Sequence, residues 1–222
     1  MNAKNRKSPR AFTLIELLTV IAIIGILAGI IIPVTGAVRT SAKKAQTKSQ
    51  FSQWTNAFTL FKQEYGYYPT IGTHDTDNLI STVEDTEEFV ITFTGKNING
   101  TALGTTPAEI AKLNGNKRRQ LFYTFSENEL PPGASPRLVD AFNNSDIGIL
   151  VDSNGDGLIK NGSGAGQDGV LATVNPAAGG VPFTPTSGSA TSDIPVDGVK
   201  AGVIFYTAGK DGSTSNAVMS WK

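Results

Sequence analysis

Residues 12–34 read FTLIELLTVIAIIGILAGIIIPV, an apolar run of 23 residues that contains one charged side chain, Glu16. About 20 apolar residues are enough for a helix to cross the hydrocarbon core of a bilayer, so this run can only be solvated by lipid, by other apolar helices, or by a cleavage that removes it. Lys4, Arg6, Lys7 and Arg10 stand just ahead of it. The positive-inside rule therefore keeps the N-terminus in the cytoplasm and sends everything beyond Pro33 across the membrane.

Three readings compete for the run. A secretory signal peptide needs a basic start, an apolar stretch and a small-residue cut site, and VTGA at residues 34–37 could serve. A plain membrane anchor needs nothing more. Glu16 counts against both, because a carboxylate at the centre of a span costs at least about 2.5 kcal/mol and usually marks function. The third reading uses it. A cut between Ala11 and Phe12 creates a cationic α-amine four residues before Glu16. The two charges could then neutralise each other, within one chain or between neighbours, which is how buried charges become tolerable.

The stretch KSPRAFTLIELLTVIAIIGILAGIIIP resembles the N-terminus of type IV pilins and type II secretion pseudopilins. The resemblance implies that a prepilin peptidase removes a leader, residues 1–11, and that the new N-terminal Phe12 is N-methylated. It implies that Glu16 is the family's assembly carboxylate and Pro33 the helix-loosening proline. The family usually has Gly before the cut, where this chain has Ala11. Gly25 and Gly29 form a G-x-x-x-G flanked by Ala22 and Ala28, a face that lets helices approach closely. Taken alone, that pattern is more often the ordinary composition of a membrane helix.

The helical pattern continues past Pro33. Val38, Ala42, Ala45, Phe51, Trp54, Phe58, Phe61 and Tyr65 recur at three- and four-residue steps, with Lys43, Lys44 and Lys48 nearby. Gly66 and Pro69 end it. The expectation is one helix over residues 12–65, all apolar in 12–34 and amphipathic in 35–65, with residues 66–222 as the globular part. Lipid or sister helices would cover the first half, and the chain's own domain the second.

In that globular part YYP at residues 67–69 is similar to the turn after the long helix of major pseudopilins. Residues 89–95, FVITFTG, read as a strand or a helix end. TPAEIAKLNG at 106–115 reads as a short helix with Thr106 as N-cap and Pro107 first. Leu121 and Phe122 read as core. Residues 139–159 resemble the D-P-W-G-N-P segment of major pseudopilins, with Asp140, Phe142 and Asn143 in corresponding places and the Pro and Gly replaced. IGILV at 147–151 and residues 199–207 read as strands. Residues 160–193 are rich in Gly, Ser, Thr, Ala and Pro and read as a long surface loop, flexible, with one short strand at GVLATV. The expected fold is α+β: the long helix packed on a small antiparallel β-sheet domain, as in pilins.

DSNGDGLI is the sharpest local motif outside the N-terminus. Asp152, Asn154 and Asp156 alternate, Gly157 follows, and Leu158 stands where a backbone carbonyl would ligate, the front half of a loop that wraps Ca²⁺. The twelfth position is Ser163 rather than Glu, and Asp168 is the available substitute. The plain alternative is an Asp/Asn/Gly-rich turn. Major pseudopilins bind calcium in a C-terminal loop, and the resemblance makes Asp211, with Ser213 and Asn216, a second and weaker candidate.

No catalytic constellation stands out. There is no cysteine, the single histidine is His74 beside Asp75 and Asp77, and the acidic run at 84–88 reads as a solvated face. The expectation is no enzyme. Removing residues 1–11 takes away Lys4, Arg6, Lys7 and Arg10 and no acid, leaving a net charge of −4, unlike a nucleic-acid binder.

The resemblance thus implies a subunit of a type II secretion pseudopilus or type IV pilus-like filament, anchored in the bacterial inner membrane with its C-terminal domain periplasmic. Its implied partners are further copies of itself, prepilin peptidase, the inner-membrane assembly platform, minor pseudopilins, and lipid before assembly. The YYP turn, residues 140–159 and the absence of a disulfide lean towards the major pseudopilin. Two other classes stay open: a membrane-anchored or exported calcium-binding or adhesin protein without filament role, and an exported enzyme.

Overall fold

A computed structural model describes residues 12–69, 71 and 78–222, with the backbone alone for residues 31–34. The chain divides into two compact units, Met1–Ala42 and Lys43–Lys222. Helix α1 is Leu14–Tyr65.

In the first unit α1 is an apolar rod. Phe12, Leu14 and Ile15 are exposed to 82%, 83% and 69%, and large side chains down to Ile30 remain more than half or nearly half exposed. An aliphatic surface of this extent is unfavourable in water at about 25 cal/mol per Å², so this stretch requires an apolar surround. A Cβ placed on Gly25 or Gly29 would meet no atom within 4 Å, which leaves that face open. The helix assignment runs through Pro33 without a break.

In the second unit α1 buries Phe51, Trp54, Ala57, Phe58 and Phe61, at the three- and four-residue steps of one helix face. Val38, Ala42 and Ala45 extend the same periodicity in sequence but are exposed. Thr47 and Gln50 continue the buried face instead, with Gln50 Nε2 donating to Val139 O at 2.8 Å and Thr47 Oγ1 accepting from Ala141 N. Gly66 ends α1 at φ +84°, its N–H returning to Lys62 O.

The sheet is antiparallel in the order β1-β2-β5-β6, with β1 Leu79–Ile80, β2 Ile147–Val151, β5 Val203–Thr207 and β6 Val218–Met219. A two-stranded ribbon pairs β3, Leu158–Ile159, with β4, Val199–Lys200. Residues 199–207 are therefore two strands, interrupted at Ala201 and Gly202. Alternate residues of β2 and β5 feed two different cores. Ile147, Ile149, Val203 and Phe205 join Trp54, Phe58, Phe89 and Phe93 on the helix side. Leu150, Ile204 and Tyr206 join Leu171, Val174, Phe183 and Ile194 on the other.

That second core revises the reading of residues 160–193. The segment has little regular structure, yet it covers the outer sheet face with three apolar side chains, Leu171, Val174 and Phe183, placed in the sequence among Gly, Ser and Pro, and Ile194 just beyond it adds a fourth. Its backbone is tied by the Val174–Phe183 pair and by Val181 N–H to Asp211 O at 3.0 Å. GVLATV forms no strand, only isolated bridges at its two ends, Gly169 and Val174. Tyr206 OH donates to Ala172 O at 2.9 Å, and Trp221 Nε1 to Asp193 O at 2.8 Å. Asp193 also accepts from Thr186 N and Oγ1 and pairs with Lys222.

Residues 89–95 belong to a helix. α2 is Val83–Thr94, opened by a capping box between Thr82 and Asp85 and closed by Gly95 at φ +66°. α3, Pro107–Ala111, has the expected Thr106 cap, reciprocated by Glu109, but it is one turn long. Phe122 packs on the core, whereas Leu121 is 63% exposed. The acidic run does more than meet solvent: Asp85 caps α2, Glu87 pairs with Lys112 at 2.9 Å, and Glu88 accepts from Asn114.

Candidate functional site

The start of α1 is built from two side chains. Thr13 N and Thr13 Oγ1 both donate to Glu16 Oε2 at 2.8 Å, and Glu16 N donates back to Thr13 Oγ1 at 3.3 Å. Leu17 N–H closes the first turn on Thr13 O. This is a capping box, which satisfies donors that a helix start leaves without partners. The sequence carries this signature as T-L-I-E ahead of an apolar run, a cap that the charge-pairing reading of Glu16 did not include. Glu16 is the first charged residue of a helix whose next 22 positions carry none, a span that ends at Val38. Ala11, on the other side of the expected cut, lies outside the described residues, as do the basic residues of 1–11, His74, Asp75 and Asp77. Of Pro33 only the helical backbone is described.

The loop after β2 is organised around Asp152, which is 3% exposed. Asp152 Oδ1 accepts from Gly155 N at 2.8 Å and Oδ2 from Gly157 N at 3.1 Å. Asn154 Oδ1 accepts from Asp156 N and Asp156 Oδ1 from Leu158 N, each at 2.8 Å. Gly155 and Gly157 take φ of +76° and +79°, which only glycine adopts without strain. Asp168 closes the loop by accepting from Ser153 N and Lys160 N, so the structure does bring it to the motif. Lys160 Nζ lies 3.0 Å from Asp156 Oδ2; that hydrogen bond, with the Leu158 N–H, holds the Asp156 carboxyl below the usual range. Asp152 and Asp168 also line a cavity of about 320 Å³ with Lys62, Tyr67 and Tyr68.

Asp211 gathers the partners named for it. Its Oδ1 accepts from Ser213 Oγ at 2.6 Å and its Oδ2 from Asn216 Nδ2 at 2.9 Å. Those bonds, the Ser213 hydroxyl first, hold its carboxyl low. Among the described residues no group of three or more His, Cys, Asp or Glu side chains is placed to hold a metal ion.

Asp140 and Asn144 form a hub the sequence pointed to only in part. Asp140 accepts from Phe142 N, Asn144 N, Asn144 Nδ2 and Thr207 Oγ1 at 2.8 to 3.0 Å. Asn144 in turn reaches Gly209 O and Ala177 N. Burial pushes the Asp140 carboxyl above its usual range against the pull of these bonds. Asn143 turns the chain here at φ +71°. Lys44 and Lys48 donate to the carbonyls of Ser215 and Lys222, and Lys43 lies over the Phe142 ring.

A family model described as the prokaryotic N-terminal methylation motif matches residues 6–32. No curated protein and no solved structure matches the chain. The match overlaps the first part of α1, and over that segment the chain is similar to prepilin-type, type IV pilin-like N-termini. One helix among the described residues, α1, is long and apolar enough to cross a membrane, with a mean hydropathy of 2.9 over its most apolar window.

Proposed function

We propose that this chain is a non-catalytic subunit of a type II secretion pseudopilus or type IV pilus-like filament. Prepilin peptidase cuts between Ala11 and Phe12 and Phe12 is methylated. The protein waits in the inner membrane with its N-terminus cytoplasmic and residues 66–222 periplasmic, then enters the filament through the assembly platform. There Glu16 neutralises the amine of a neighbour's Phe12. The observation that carries this reading is the methylation motif at residues 6–32 on a helix whose large apolar side chains from Leu14 to Ile30 are exposed. Intact mass and N-terminal sequencing of the protein from its native membrane test it. A chain beginning at methylated Phe12 supports the reading; one beginning near residues 35–38 means signal-peptide cleavage and overturns it.

The loop at residues 152–158 supports a subordinate proposal, that it takes Ca²⁺ through Asp152, Asn154, Asp156 and the Leu158 carbonyl, with Asp168 completing the set. Its glycines and carboxylates already hold the loop curled, which lowers the ordering cost of wrapping a hard cation.

A further inference from the structure

The chain contains four Asn-Gly pairs, at Asn99, Asn114, Asn154 and Asn161. This dipeptide can modify itself. The glycine nitrogen attacks the asparagine Cγ, the N–Cγ bond forms, the Cγ–Nδ2 bond breaks and ammonia leaves. Water then opens the cyclic imide at either carbonyl to give aspartate or isoaspartate. Glycine permits the attack because no side chain shields its nitrogen. In an unfolded chain the four pairs are chemically alike, so any ranking among them in the native protein comes from the fold.

The fold separates them. Asn114 Nδ2 donates to Glu88 Oε1 and Thr92 Oγ1. Asn161 is clamped at both ends, Nδ2 donating to Ser187 Oγ and Oδ1 accepting from Leu171 N. Both are half-buried, and in each the leaving nitrogen is tied down. Asn99 and Asn154 are exposed. At Asn99 the carbonyl oxygen is held by Thr101 N and Oγ1, and the attacking nitrogen, Gly100 N, donates to a neutral carbonyl, Asn97 O. At Asn154 the attacking nitrogen, Gly155 N, donates to a carboxylate, Asp152 Oδ1, at 2.8 Å. That carboxylate is nearly buried and fixed by a second bond from Gly157 N. Asn154 Oδ1 accepts from Asp156 N at 2.8 Å, which polarises the carbonyl under attack. Its Nδ2 also hydrogen-bonds the Asp156 carboxylate, so what sets Asn154 apart is the carboxylate at its attacking nitrogen rather than a freer leaving group.

We infer that Asn154 is a self-modification site, converting to aspartate or isoaspartate by attack of Gly155 N, with Asp152 drawing off the amide proton and passing it to the departing ammonia. The aspartate product turns Asp152-Ser-Asn154-Gly-Asp156 into a loop with three alternating carboxylates, so the charge of this loop is set by the age of the molecule as well as by its sequence. The inference is independent of the filament reading.

The test is peptide mapping by mass spectrometry of the full chain, purified in detergent and incubated at neutral pH, with the other three pairs as controls in the same molecule. Asn154 is expected to convert about tenfold faster than Asn114 and Asn161, a difference of roughly 1.4 kcal/mol in barrier, and ahead of Asn99. The denatured chain is expected to lose this ranking. Asp152→Asn keeps an acceptor oxygen but removes the charge, and should reduce the lead of Asn154 over Asn99. Native Asn154 converting no faster than Asn161 overturns the site, and an undiminished lead in Asp152→Asn overturns the part assigned to Asp152.

Discussion

Thr13 and Glu16 cap each other: the threonine gives two donors to one carboxylate oxygen and receives the glutamate N–H in return. The carboxylate therefore has a partner inside its own chain. That raises a choice between two roles, helix capping and charge pairing with a neighbouring amine, and the magnitudes differ. Losing a cap costs about 1 kcal/mol, whereas leaving one member of a buried ion pair uncompensated costs about 3–5 kcal/mol.

Glu16→Gln separates the two. A glutamine oxygen can still accept from Thr13 N, so the cap survives while the charge is lost. Both Glu16→Gln and Glu16→Ala are expected to leave leader cleavage intact and to cut the yield of sheared filaments sharply, relative to mature protein in the membrane. Normal yield from Glu16→Gln with reduced yield from Glu16→Ala would make capping the whole of the role.

Asp140 gives a pH dependence with a definite sign. Burial raises its folded pKa above the unfolded value, so the native state holds the proton more tightly. Its contribution to stability is fully present below the unfolded aspartate pKa and is lost as pH rises through the folded value. Asp193 works in the opposite direction. Burial raises it, but the bonds from Lys222 and Thr186 outweigh burial and its net shift is downward; its stabilisation is lost as pH falls through that depressed value. The absolute slope mixes both, so the check is the difference between the wild type and Asp140→Asn. Urea unfolding of the detergent-solubilised chain at a series of acidic pH values should show the wild type losing stability relative to the variant as pH rises across the Asp140 titration. Parallel curves would contradict the assigned shift.

Much of this architecture was legible. The aromatic stripe at Phe51, Trp54, Phe58 and Phe61 fixed the buried face of α1 because bulky side chains at helical steps have one way to be covered. Its extension to Val38, Ala42 and Ala45 failed because small or isolated apolar residues keep the period without requiring burial. The outer coat was hidden for a related reason. Leu171, Val174, Phe183 and Ile194 are too widely spaced to give a period, and their partners, Leu150, Ile204 and Tyr206, are distant in sequence. Composition showed the Gly and Ser between them and not the sheet face awaiting cover. At the N-terminus, the carboxylate was legible as an anomaly and its cap with Thr13 as a four-residue signature, while Asp168 could be nominated for the 152–158 loop only because the motif lacked its last acid. The Asp140–Asn144–Thr207 hub needed the fold, since Thr207 is brought in by strand pairing.

Gly148 tests the coat. It faces Tyr206 across the β2–β5 ladder, and a Cβ there would lie 2.1 Å from the tyrosine Cζ. Gly148→Ala must displace the ring that donates to Ala172 O and meets Trp221 edge-on. Overpacking of this kind costs about 1–3 kcal/mol. Limited proteolysis should show new cleavage within residues 160–193 together with a lowered Tm. Gly36→Ala, where a Cβ would meet no atom within 4 Å, should change neither. Unchanged protease resistance in Gly148→Ala would mean that Tyr206 does not anchor the segment.

Calcium can be assigned or dismissed by three substitutions and one titration. A cation that binds only the native state raises stability in proportion to the logarithm of its concentration over Kd. If residues 152–158 take Ca²⁺, the Tm of freshly purified protein rises with added calcium, and Asp152→Asn removes the rise because it deletes the nearly buried carboxylate on which the loop is built. Asp211→Asn should leave it in place. The reverse pattern transfers the site to the C-terminal loop, where Ser213 and Asn216 already surround Asp211. Lys160 refines the outcome: its ammonium already neutralises Asp156, so a cation entering the 152–158 loop competes with it. Lys160→Met should then lower the calcium concentration needed for half of the rise. A Tm indifferent to calcium in all four proteins would reduce both loops to turns held by their own carboxylates.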